Sequence, residues 1–171
     1  VDKRHDLAIQ SFAKVVEVIP DATFYCYGFG PFLSDLKKQV ISLGLEKNIF
    51  LCGWVDNISL EYLSAGLSII SSPFESFSLT IAESLAYGCP VVAFDVPYGP
   101  RELIENGGNG YLVPYPNIED MANKVIKIMQ DKKLQMKLSE QAFLSSNRYS
   151  EKSVADRWKA LFYSLGIAKN D

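Results

Sequence analysis

The chain has 171 residues, 17 Lys and Arg against 20 Asp and Glu, a net charge of −3 and 48% hydrophobic residues. At about 100–200 residues per domain, this length and composition favour a single globular domain. Because there is no basic surplus to neutralise a run of phosphates, we expect no nucleic acid partner. No apolar run approaches the roughly 18 residues that a membrane-spanning helix needs.

Several kinds of catalytic and metal site are excluded by missing residues. His5 is the single histidine, and no G-x-S-x-G elbow accompanies it as a serine hydrolase would require. The zinc motif H-E-x-x-H and the phosphate-loop motif are absent, as is the Asp-x-Asp pair that often holds a divalent ion against a diphosphate. The sequence therefore predicts no metal site and no cofactor.

The three cysteines show no C-x-x-C spacing, and each lies in or beside an apolar segment. They are Cys26, Cys52 and Cys89. Such cysteines are typical of buried free thiols. We expect a reducing, cytoplasmic compartment.

Helices and strands alternate over the first two thirds of the chain. Apolar spacing predicts helices near residues 8–19, 31–43, 56–63, 78–87 and 100–105. Short β-branched or aromatic runs predict strands at residues 22–27, 48–52, 67–70, 90–94 and 111–113. Three further helical stripes follow residue 117. This order predicts an α/β fold, a Rossmann-like parallel sheet with helices on both faces and a helical C-terminus.

In such sheets ligands bind beyond the C-terminal ends of the strands. Gly28 and Gly30 follow the first predicted strand, where they allow a backbone to approach a ligand closely. The third glycine of the dinucleotide fingerprint is missing, because position 33 is Leu. A tight turn and a ligand-binding loop both remain open as interpretations.

The densest group of polar residues follows the strand predicted at residues 67–70. It comprises Glu75, Ser76, Phe77, Ser78, Leu79, Thr80 and Glu83. The unpaired N–H groups at the helix start favour a diphosphate, and the two carboxylates are suited to accept hydrogen bonds from sugar hydroxyls. In the alternative interpretation, Ser76 or Ser78 only caps the helix, and the negative charge of Glu83 interacts favourably with the positive N-terminal end of the helix.

Two further segments have open interpretations. Residues 95–102 either form a capped helix or a second wall of the same cleft. Lys3 precedes the first helix, and it is either a solvated terminal lysine or a cation for a phosphate.

Six segments in order resemble the C-terminal, donor-binding half of the GT-B glycosyltransferases, and within them the retaining family 4. They are KRHDL at residue 3, GFGP at residue 28, FLCGWV at residue 50, PFESFSLTIAESLAYGCPVVA at residue 73, GPRELI at residue 99 and NGYLV at residue 109. The fourth is similar to the signature of the family, two glutamates separated by seven residues. Residues 95–102 are similar to those of bacterial members that decorate surface polysaccharides or teichoic-acid-type polymers.

The resemblance implies a role for each residue. Glu75 would contact the donor sugar near the reacting carbon, and Glu83 would bind the nucleotide ribose. The backbone of residues 78–80 would hold the diphosphate with Lys3 as the catalytic cation, and the loop at Val55 would lie against the base. The implied reaction moves a hexosyl unit from a nucleotide diphosphate sugar, by preference a UDP-sugar, to a glycan or lipid-linked acceptor. No metal is needed.

The chain departs from the family in two ways. Ser76 stands where the family usually has glycine, and Ser78 where it often does. The first strand of this half, and the N-terminal lobe that carries the acceptor site, are expected before Lys3. We therefore expect residues 1–171 to be a single donor-binding domain of a longer cytoplasmic enzyme, associated with the inner membrane face through the missing lobe. Alternatives are a nucleotide-binding or interaction module without transferase activity, and a GT-B epimerase or phosphorylase.

Overall fold

The computed structural model describes residues 3–167 and contains the predicted strands and helices in the predicted order. The strands are β1 (Phe24–Tyr27), β2 (Ile49–Gly53), β3 (Ser68–Ile70), β4 (Val91–Asp95) and β5 (Gly110–Pro114). The helices are α1 (His5–Val18), α2 (Leu33–Ser42), α3 (Ile58–Ser64), α4 (Leu79–Ala86), α5 (Gly99–Leu103), α6 (Ile118–Gln130), α7 (Lys132–Ser146) and α8 (Glu151–Ser164).

All neighbouring strands pair in parallel, as predicted, but they form two sheets. One sheet has the order β1–β2, and the other has the order β3–β4–β5. Phe24 pairs with Ile49 in the first sheet, and Ser68 pairs with Val91 in the second. The break between β1 and β3 leaves one edge of each strand without a strand partner within residues 3–167.

Helices cover both faces of the larger sheet, because alternate side chains of a strand point to opposite faces. On β4, Val92 and Phe94 point into a core cluster that also contains buried residues of α1 and α6. Val91 and Ala93 point into a second cluster with residues of α4 and α5. The two-sided burial explains why β4 is a continuous apolar run.

Helix α1 joins the two sheets into one body. Phe12 on its buried face stacks on Phe24 of β1, with ring centroids 5.2 Å apart. The same core cluster includes Ile69 of β3 and Val125 of α6. Burying a side chain of the size of Phe12 stabilises a fold by roughly 1.5–3 kcal/mol. The break between β1 and β3 is therefore bridged by side-chain packing on the α1 face.

The three C-terminal helices each begin at a polar side chain that accepts a hydrogen bond from the first turn. These side chains are Asn117, Asp131 and Ser150. Helix α8 has no buried residue, and Trp158 on it is 54% exposed. Among residues 3–167, no helix combines the length and apolar character needed to cross a membrane.

The prediction that all three cysteines are buried is wrong for Cys52. Cys89 is buried and Cys26 is partly buried, whereas Cys52 is exposed. Residues of β2 alternate between its two faces, and Cys52 lies on the outward face. Burial raises the pKa of the Cys26 thiol to about 12.

The open edges predict a pattern of amide hydrogen exchange. The N–H of Ser68 donates to the carbonyl of Pro90 at 2.9 Å, and the N–H of Phe24 donates to the carbonyl of Asn48 at 2.7 Å. Because N–H directions alternate along a strand, the N–H groups of Ile69 and Tyr25 point into the break. In residues 1–171 we expect them to exchange at least about tenfold faster than those of Ser68 and Phe24. NMR-detected exchange measures this, and equal protection would show that the break is closed.

Candidate functional site

A buried carboxylate and a lysine are in direct contact beyond the strand ends. Glu75 is 8% exposed, and its Oε1 accepts a hydrogen bond from Nζ of Lys3 at 2.6 Å. An ionised carboxylate so deeply buried is costly unless it is paired. Lys3, whose side chain is 48% exposed, therefore compensates the charge of Glu75 from the solvent side of the contact.

The loop between β4 and α5 fixes the backbone of Glu75. The N–H groups of Tyr98 and Gly99 donate to the Glu75 carbonyl at 2.8 and 3.1 Å. The N–H of Glu75 donates to the carbonyl of Pro97 at 3.4 Å. A Cβ at Gly99 would lie 2.3 Å from the carbonyl oxygen of Phe77, so only glycine fits there. Residues 97–99 thus form a wall beside Glu75.

Ser78 has an unusual conformation at the start of α4. Its φ is 67° and its ψ is 78°, in the left-handed region that favours glycine. The side chain makes no capping hydrogen bond, so the interpretation of Ser78 as a simple cap is wrong. Within residues 3–167, its Oγ is the only buried side-chain nitrogen or oxygen without a hydrogen-bond partner. Ser76, in contrast, does not have a positive φ.

The N-terminus of α4 keeps unpaired donors. The first bonds of the helix run from the N–H groups of Ile81 and Ala82 to the carbonyl of Ser78. The N–H groups of Leu79 and Thr80 precede these bonds and have no partner inside the helix. Both residues are exposed. The helix start therefore presents positive partial charge to an anion.

A pocket of about 550 Å³ lies beside the end of β1. Gly28 and Gly30 line it together with Lys3, His5 and the first residues of α2. Gly28 has a φ of +112°, and a Cβ at either glycine would meet no atom within 4 Å. Lys3 therefore borders both this pocket and the Glu75 loop.

The remaining predicted residues lie around this centre. Val55 is half-buried and follows Gly53, whose carbonyl accepts a hydrogen bond from the N–H of Gly28 at 2.6 Å. The ring of Phe77 packs edge-on against Tyr149, with centroids 5.3 Å apart. Neither Val55 nor Phe77 is among the residues that line the pocket.

Glu83 is exposed on α4. Burial, together with the charge of Glu83, raises the pKa of Tyr62 on α3 to about 12. Tyr62 also donates a hydrogen bond to the carbonyl of Thr80 at 3.4 Å. Glu83 does not line the pocket beside β1. In the part of the chain that the structure describes, no group of three or more His, Cys, Asp or Glu residues is arranged to hold a metal ion.

Tyr98 belongs to residues 95–102, for which the sequence leaves a capped helix and a second cleft wall both open. Its backbone pairing with Glu75 joins two segments far apart in the chain. No sequence pattern signals such a pairing.

Residues 1–144 match the family described as glycosyl transferases group 1. The chain belongs to this family. A relative, the poly(glycerol-phosphate) alpha-glucosyltransferase of Bacillus subtilis, is 38% identical over 151 residues, which are 88% of this chain and 22% of the relative. An exopolysaccharide phosphotransferase of Streptomyces coelicolor is 34% identical over 171 residues, covering 99% of this chain and 18% of the relative.

A solved structure shows the same fold in this glycosyl transferase family. A mutant of Staphylococcus aureus TarM in complex with fondaparinux, alpha-GlcNAc-glycerol and UDP superposes with a TM-score of 0.88 at 32% identity. The superposition covers 94% of this chain and 33% of TarM. The chain thus spans about a fifth to a third of the length of these proteins.

The strain at Ser78 predicts that glycine stabilises the domain. Ser78→Gly removes a left-handed conformation that costs a serine roughly 1–2 kcal/mol and adds about 0.5–1 kcal/mol of backbone entropy cost. It also removes the unpaired hydroxyl. We expect the melting temperature to rise by about 2–4 °C. The matched control, Ser76→Gly, should lower it, because Ser76 has no positive φ to relieve. A lower melting temperature for Ser78→Gly would contradict this account.

Proposed function

We propose that this chain is the donor-binding domain of a retaining GT-B glycosyltransferase of family 4. In this proposal the enzyme moves a hexosyl unit from a UDP-sugar to a glycan, a teichoic-acid-type polymer or a lipid-linked acceptor. The observation that carries it is the contact between Lys3 and the buried Glu75, beside the uncapped N-terminus of α4. Similarity to the Bacillus glucosyltransferase and to the UDP complex of TarM supports it.

The diphosphate is proposed to lie at the start of α4. There the N–H groups of Leu79 and Thr80 and the ammonium group of Lys3 would face its oxygens. Negative charge grows on the diphosphate as the bond to the sugar breaks, so fixed donors stabilise the transition state more than the ground state. In this proposal the positive charge comes from the protein, and no metal ion takes part.

The two glutamates have different roles in the proposal. Glu75 positions the donor sugar by accepting hydrogen bonds from its hydroxyls and stabilises positive charge on the ring. Glu83, the second glutamate of the signature, binds the ribose diol. The loop at Val55 would lie against the base, and Gly28 and Gly30 would let the backbone approach the donor closely. No side chain is assigned as general base, because the departing phosphate can accept the proton of the acceptor hydroxyl.

We further propose that a strand preceding Lys3 occupies the break between β1 and β3. The carbonyl of Lys3 accepts a hydrogen bond from Oγ of Ser71, just after β3, and Lys3 lines the pocket with Gly28, just after β1. The chain therefore enters α1 between the ends of these two strands. An N-terminal lobe beyond that strand would carry the acceptor site, in a cytoplasmic enzyme held at the inner membrane face by that lobe.

The decisive experiment is a titration of the complete protein, and of residues 1–171, with UDP, UDP-glucose, UDP-N-acetylglucosamine and GDP-mannose. Calorimetry should give binding of UDP and of at least one UDP-sugar, with GDP-mannose at least about tenfold weaker. If no nucleotide binds to the complete protein, the proposed donor site is wrong.

Substitution of the two glutamates separates their roles in the complete enzyme. Glu83→Ala should weaken UDP-sugar binding about tenfold, because hydrogen bonds to a charged group are lost. Glu75→Gln should leave KM nearly unchanged and lower kcat at least about tenfold. Glu140→Ala, an exposed glutamate on α7, is the control and should change neither. Normal kinetics in both site variants would refute these roles.

Analysis of the products separates the alternatives. The Streptomyces relative carries the name of a phosphotransferase, so transfer of a sugar phosphate is the second candidate. A hexosyl transferase releases UDP and adds no phosphorus to the acceptor, whereas transfer of a sugar phosphate releases UMP and adds one phosphorus atom for each sugar. An epimerase needs no acceptor, a phosphorylase consumes inorganic phosphate and releases a sugar 1-phosphate from a glycan, and an interaction module yields no product.

A further inference from the structure

Tyr98 lies in the loop between β4 and α5, whose backbone pairs with Glu75. It is 71% exposed and makes no hydrogen bond or ring contact with other residues between 3 and 167. An isolated exposed ring is common on protein surfaces and by itself indicates nothing. The inference rests on the position of Tyr98 next to Glu75 and on the hydrogen bonds that hold the Tyr98 backbone there.

The backbone around Tyr98 is rigidly attached to the Glu75 segment. Glu75 and Tyr98 form a parallel bridge, closed by the Tyr98 N–H donating to the Glu75 carbonyl at 2.8 Å. The next residue, Gly99, is buried against the carbonyl of Phe77 so closely that any side chain would collide. The backbones of Tyr98 and Glu75 thus lie one strand spacing apart, and the aromatic side chain of Tyr98 is exposed beside this bridge.

A hexose ring needs two kinds of contact, and this pair of residues offers both. Its hydroxyl groups lie at the rim and donate hydrogen bonds to a carboxylate. Its C–H groups form apolar patches on the two faces, and these pack on an aromatic ring. Glu75 supplies the carboxylate and Tyr98 the aromatic ring. Polar groups that fix orientation beside an apolar surface are typical of small-molecule sites.

We propose that Tyr98 is a specificity-determining residue that packs against the hexose ring of the donor. This inference rests on the proposed function and adds a residue that discriminates between the sugar-bearing donor and the bare nucleotide. The elements proposed for the nucleotide are different ones, namely the loop at Val55 and the N-terminus of α4. Loss of the Tyr98 ring should therefore affect the sugar and leave UDP binding intact.

The test compares three variants of the complete protein: Tyr98→Ala, Tyr98→Phe and Tyr163→Ala. Tyr163 is a tyrosine on α8 that is 41% exposed, and it serves as the matched control. Calorimetry with UDP and with the UDP-hexose that the wild type prefers gives both dissociation constants. For Tyr98→Ala we expect UDP-hexose binding weakened about tenfold and UDP binding within about twofold of wild type. Tyr98→Phe and Tyr163→Ala should bind both ligands like the wild type.

Each other outcome overturns the assignment. Equal loss of UDP and UDP-hexose binding would place Tyr98 at the nucleotide or in the fold, and a lower melting temperature for Tyr98→Ala but not for Tyr98→Phe would show a structural role. A change confined to the KM of the acceptor would place the ring at the acceptor. Unchanged UDP-hexose binding would leave Tyr98 without a role at the sugar. A wild type that binds no UDP would instead contradict the proposed function itself.

Discussion

The arrangement beyond the strand ends depends on one constraint, the pairing of a buried carboxylate. Glu75 is 8% exposed, and its charge would destabilise the fold if it were left alone. The ammonium group of Lys3, 72 positions away in the chain, supplies the compensation. This contact fixes the start of α1 against the loop after β3. The pocket beside β1 and the Glu75 loop thereby have one shared cation.

Local strain is concentrated in the same segment. Two residues other than glycine have positive φ among residues 3–167: Arg4, next to Lys3, and Ser78, three positions after Glu75. Core packing of the two adjoining helices holds both residues in these conformations. Helix α1 packs into the core through Phe12, and α4 packs through Ile81 and Leu85, which are fully buried. Strained conformations held by a rigid scaffold are frequent at binding sites. The α/β framework therefore gives this loop a fixed shape.

Much of the fold and part of the candidate site were predictable from local patterns. The run from Val91 to Phe94 is apolar because both of its faces are covered, so the buried parallel strand could be recognised. Glu75 and Ser78 follow a strand and precede a helix, and this placed them at the ligand-binding edge. The exposure of Cys52 and the break between β1 and β3 could not be predicted, since they depend on which neighbours a strand acquires.

The sequence by itself determined the order of elements, the parallel α/β class and the loops at which polar residues gather, because these follow from side-chain periodicity and from glycine and proline positions. The tertiary structure decided the rest. It brought Lys3 to Glu75, paired the backbone of Tyr98 with that of Glu75, left Oγ of Ser78 without a partner and divided the strands between two sheets. These features arise from contacts between residues distant in the chain, and spacing along a sequence carries no information about distances across a fold.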